Sequence, residues 1–97
     1  MEDSRYREHF DTGIKKIRHE IRSLLAQQGL FGTITDTAAG PEDSVPESSR
    51  VQIEVKGRTA GRLFDRGQVE GCRLRVSGAV LSSIIDMVDE VSEVRKN

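Results

Sequence analysis

The stretch SGAVLSSIIDMVDEVSEV, residues 77–94, decides how the rest of the chain must be arranged. At 100° per residue it places Val80, Leu81, Ile84, Ile85, Met87, Val88, Val91 and Val94 on one continuous arc of a helix. Ser82, Ser83, Asp86, Asp89, Glu90 and Glu93 fill the other side. A helix resting on one neighbour needs an apolar stripe of about 100°. This stripe is nearly twice as wide, so it calls for two neighbours. The sheet is one, and the second is either the first helix or another subunit, with a second subunit favoured in so short a chain. A homodimer follows, with Val80, Ile84, Met87, Val91 and Val94 as the self-association residues.

Outward from that helix, the sequence reads as a single small domain over 1–97. Its composition is lean for a core, at 35% hydrophobic and 4% aromatic with no tryptophan. Phe10, Ile14, Ile17, Ile21 and Leu24 recur at alternating spacings of four and three, joined late by Leu25. That seam predicts a first helix over 4–28, with Asp3 or Ser4 as N-cap and Gly29 as a left-handed C-terminal cap. Leu30 and Phe31 are expected to tuck under its end.

A short strand fits 32–35. Residues 36–49 hold both prolines and four acids with no base, a composition that predicts a flexible acidic loop. From Arg50 the period becomes two. Val51, Ile53 and Val55 alternate with Gln52, Glu54 and Lys56, ending at Gly57. Asp65-Arg66-Gly67 has the look of a tight hairpin connection. It would join strands 59–64 and 68–76, the second carrying Cys72, Leu74 and Val76 on one face and Arg73 and Arg75 on the other. The expected fold is therefore α+β: N-terminal helix, long acidic loop, three-stranded antiparallel meander, C-terminal helix.

The net charge of −1 conceals a division along the chain. Residues 50–76 carry seven bases against three acids, between two acidic segments. A neutral total argues against a protein that coats nucleic acid along its whole surface. It leaves room for a local cationic site. On the expected meander, Arg58, Arg62, Arg66, Arg73 and Arg75 would share the outer sheet face. Guanidinium groups there suit carboxylates on an acidic protein surface. The alternative is a dimeric nucleic-acid binder contacting phosphates with the same arginines; no aromatic residue stands among them to stack on bases. A third pattern sets Lys15, Lys16, Arg18 and Arg22 of the first helix against Asp86, Asp89, Glu90 and Glu93 of the last, favouring side-by-side packing.

No catalytic, metal or cofactor motif is legible. His19-Glu20-Ile21-Arg22-Ser23 opens like a zinc-protease helix but has Ser where the second His must bind. Residues 57–62 have glycines without the phosphate-loop spacing. Cys72 is the only cysteine, expected as a buried small hydrophobe. The N-terminus lacks the apolar run of a signal peptide, and no window is long enough to span a membrane. The expectation is a cytoplasmic, non-enzymatic protein: a small regulator, inhibitor or adaptor with a protein partner, no cofactor, no metal and no membrane.

Overall fold

A computed structural model describes residues 2–40 and 45–92, with side chains from Arg7 onward. The element order is α1 (Glu2–Gln27), β1 (Thr33–Ala39), β2 (Ser48–Val55), β3 (Arg58–Asp65), α2 (Arg66–Glu70) and α3 (Gly78–Ser92). The strands form one antiparallel sheet in the order β1-β2-β3. The architecture is α+β, as the periodicities predict.

Each helix end has a local cause. α1 starts two residues before its expected beginning and stops where Gly29 takes a φ of 73°. There the Leu30 amide donates to the Leu25 carbonyl and the Gly29 amide to that of Ala26, a Schellman cap. Leu30 packs on the core, but Phe31 does not follow it: its side chain is 85% exposed. Ser77 caps α3, its Oγ accepting from the Val80 amide at 3.4 Å.

The third strand is not the expected one. Residues 68–76 are not extended; 66–70 form the short helix α2, and 71–77 are an irregular connection. Asp65 is the N-cap of α2. Its carboxylate accepts from the Gln68 amide at 2.8 Å, while the Gln68 side chain accepts from the Asp65 amide at 3.0 Å. That reciprocal pair is a capping box, and it favours a helix start over a hairpin. The strand is supplied at the other edge, where β1 continues from Thr35 to Ala39 through part of the acidic segment. Val45 and Pro46 are buried, and β2 begins at Ser48, so 36–49 is not a loop throughout. Positions 41–44, which include Glu42 and Asp43, lie outside the described residues. The β2–β3 turn is Lys56-Gly57, with φ of 54° and 85°, the positive pair a type I′ turn requires.

Register assigns the faces. Ile34, Ile53 and Ala60 lie side by side across the sheet, as do Ser49 and Phe64. These belong to the face covered by helices. α3 rests on β3 and β2, and α1 rests on α3 and α2. Thus α3 has the sheet on one side and α1 on the other. Val80, Ile84, Met87 and Val91 are each no more than 2% exposed within one chain. These four are covered within one chain and give no reason for a second copy, while Ile85 of the same arc is 42% exposed. Val94 lies outside the described residues.

α1 and α2 approach each other closely at Gly13. A Cβ added at Gly13 would stand 1.9 Å from the Val69 carbonyl oxygen. In an open helix, Gly→Ala stabilises by about 1 kcal/mol. Here overpacking outweighs that gain, so Gly13→Ala should lower stability by about 1–3 kcal/mol in urea unfolding. A gain in stability would show that α1 and α2 do not approach this closely.

Candidate functional site

The five arginines assigned to one sheet face are not gathered there. Arg73 and Arg75 leave the sheet with the lost strand: both lie in the connection before α3, where Arg73 Nη1 donates to the Glu70 carbonyl at 3.0 Å. Arg62 stands opposite Val51, on the helix-covered side by register. It donates to Glu90 Oε2 of α3 at 2.6 Å and to the Gly61 carbonyl at 2.7 Å. Arg58 opens β3 on the same parity, opposite Val55. Arg66 belongs to α2. Its Nε donates to the Pro46 carbonyl at 2.9 Å and its Nη2 to the Val45 carbonyl at 2.8 Å. It therefore holds the entry to β2 rather than waiting for a ligand.

What faces solvent on the outer side of the sheet is mostly small and neutral. Thr33, Thr35 and Thr37 of β1 stand beside Glu54, Gln52 and Arg50 of β2, with Thr59, Gly61 and Leu63 beyond them. A hollow of about 120 Å³ there is well under the size of an ordinary small-molecule site, about 300 Å³ or more.

The cations that converge are on α1. Thr12, Lys15, Lys16, Arg18, His19 and Arg22 line an open depression of about 520 Å³. Their grouping follows from α1's own burial. Ile14, Ile17, Ile21 and Leu25 face inward and Gly13 faces α2, so the positions between them in sequence are turned outward. Lys15, Lys16, His19 and Arg22 are exposed; Arg18 is half-buried and ion-paired with Asp36 of β1. Of this group only Arg18 has an acidic partner among the described residues.

Among the described residues none of these cations pairs with an acid of α3. Glu90 pairs with Arg62, Asp86 and Asp89 are exposed, and Glu93 lies outside the described residues. The signal for the α1 site was present in the sequence: Lys15, Arg18 and Arg22 recur at spacings of three and four without an acid between them on that face. His9, His19 and Cys72 do not come together; among the described residues no three His, Cys, Asp or Glu side chains could hold a metal ion. Cys72 is fully buried, as its alternation with core residues suggested. No described helix is long and apolar enough to cross a membrane.

Compared with family models, curated proteins and solved structures, the chain matches none of them.

Arg66→Ala should leave the Val45 and Pro46 carbonyls without their charged donor and lower stability by about 1–3 kcal/mol. Arg75→Ala should leave the urea midpoint where it is. Equal effects of the two substitutions would contradict the structural role of Arg66.

Proposed function

We propose that the protein is a small non-enzymatic binding protein, a regulator, inhibitor or adaptor, that docks on an acidic protein segment. The docking surface is the outer face of α1 rather than the sheet. The observation that carries this reading is the grouping of Lys15, Lys16 and Arg22 around one open depression, none of the three in a close ion pair among the described residues. Such cations repel one another in the free protein, and a carboxylate-rich partner relieves that repulsion. Arg22 adds the planar fork that pairs with a carboxylate through two parallel bonds. A cytoplasmic setting fits the single buried free cysteine.

A protein partner is preferred over nucleic acid because the depression is local. It is lined by a run of one helix, and the outer sheet face, on the far side from the helices, has Arg50 among hydroxyls, Gln52 and Glu54 rather than a basic stripe. A duplex needs phosphate contacts spread along its length.

The test is fluorescence anisotropy with a labelled Glu-rich peptide and with a labelled duplex of arbitrary sequence, in a salt series. The peptide should bind more tightly. The double substitution Lys15→Glu with Arg22→Glu should weaken peptide binding by about tenfold or more, since each exposed charge contributes up to about 1 kcal/mol. Tighter binding to the duplex, lost steeply with salt, would instead favour the phosphate reading.

A further inference from the structure

We infer that the acidic partner is taken up as an added strand on the free edge of β1, in extended form, with alternate carboxylates directed at the α1 cations. This rests on the cationic face of α1 being the binding site, and it specifies how that face is used.

Two features of β1 support it. The first is an unpaired edge. β1 pairs only with β2, and among the described residues no strand pairs with its other side. Sheet edges are usually protected by lysine, proline, a bulge or inward-pointing charge. The sequence of β1, TITDTAA, contains neither lysine nor proline, and its register with β2 is unbroken. Its one charge, Asp36, lies on the helix-covered side by register and is held there by Arg18 of α1.

The second is the direction of the free backbone groups. Ala39 turns its carbonyl to the β2 side, where the Glu47 amide donates to it at 2.7 Å. Residues along an antiparallel strand alternate between bonding one neighbour and facing the other way. Thr33, Thr35 and Thr37 therefore bond β2, and Ile34, Asp36 and Ala38 present their amides and carbonyls outward.

One α1 cation is tied to that same strand. The Arg18–Asp36 pair fixes one side of α1 beside the middle of β1. Going round the helix from Arg18 and away from the core, Arg22 and then Lys15 follow within about 60° of arc. On this proposal they reach over the position a fourth strand would take. Because side chains alternate along a strand, every second residue of the incoming segment points toward α1. Carboxylates at those positions meet Arg22 and Lys15.

Charge also decides against a second copy of this chain as occupant. Antiparallel pairing of two β1 strands about a two-fold axis would set both helix layers on the same side of the joined sheet. The Arg22 and Lys15 ledges of the two copies would then face each other.

The experiment uses the full chain and an unstructured peptide alternating Glu with Thr, followed by amide hydrogen exchange resolved by residue. Binding should slow exchange of the Ile34, Asp36 and Ala38 amides by about tenfold or more, leaving Thr35 and Thr37 as they were. Ala38→Pro, which removes one outward amide and no β2 bond, should weaken the peptide by a similar factor. Peptide binding that protects none of the three amides, yet is lost in the Lys15→Glu, Arg22→Glu protein, overturns the added strand and leaves the cationic-face reading standing. Binding that ignores the charge reversal, or no binding at all, overturns both. Protection of the same three amides without peptide, growing with protein concentration, overturns the heterologous occupant in favour of a second copy. The exchange measurement on the unsubstituted protein decides these outcomes even if Ala38→Pro fails to fold.

Discussion

Burial of α3 on two sides is the constraint from which the other contacts follow. Its apolar girdle is too broad for the sheet alone, so α1 must lie along it and complete the cover. α1 is held in place by its own seam and by the close approach of Gly13 to Val69 in α2. Each side chain excluded from a core of this size matters, because a small domain buries a modest share of its surface. Once α1 is fixed with Ile14, Ile17 and Ile21 inward, its lysines and arginines have only one direction left. The cationic depression is thus a geometric consequence of how the core closes.

Much of this was legible from periodicity. The α1 seam, the Gly29 cap, the Ser77 cap, the alternation in β2 and the extended character of 59–64 are all set by local spacing, and the structure keeps them. What misled was a competition between local signals of similar strength. Asp65-Arg66-Gly67 satisfies a turn pattern, but Asp65 with Gln68 three residues on also satisfies a capping box, and the capping box prevails. Cys72, Leu74 and Val76 alternate like a strand, yet Leu74 is 82% exposed and only Cys72 is fully buried. Polar residues in 36–39 hid the end of β1, whose stability comes from pairing with β2 rather than from its own apolar content. The true hairpin turn escaped notice because Lys56 occupies a positive-φ position usually given to Asn or Asp.

The same displacement explains the candidate site. Five arginines read as one face only while 68–76 is a strand. With that strand gone, Arg62 and Arg66 become internal ties, one to α3 and one to the Val45–Pro46 segment, and Arg73 caps its own connection. The α1 cations were named correctly but given the wrong role, because matching them with the acids of α3 assumed that the polar sides of the two helices meet. Their apolar sides meet instead, and the charges diverge into solvent.

The claim that carries the account is that Val80, Ile84, Met87, Val88 and Val91 of α3 are covered within one chain. It is tested most directly by the urea midpoint of unfolding, measured over a hundredfold range of protein concentration. A fold completed within one chain predicts a constant midpoint at every concentration. A midpoint that climbs as the protein is concentrated would mean that the native state needs a second subunit, contradicting the cover that α1 and the sheet provide.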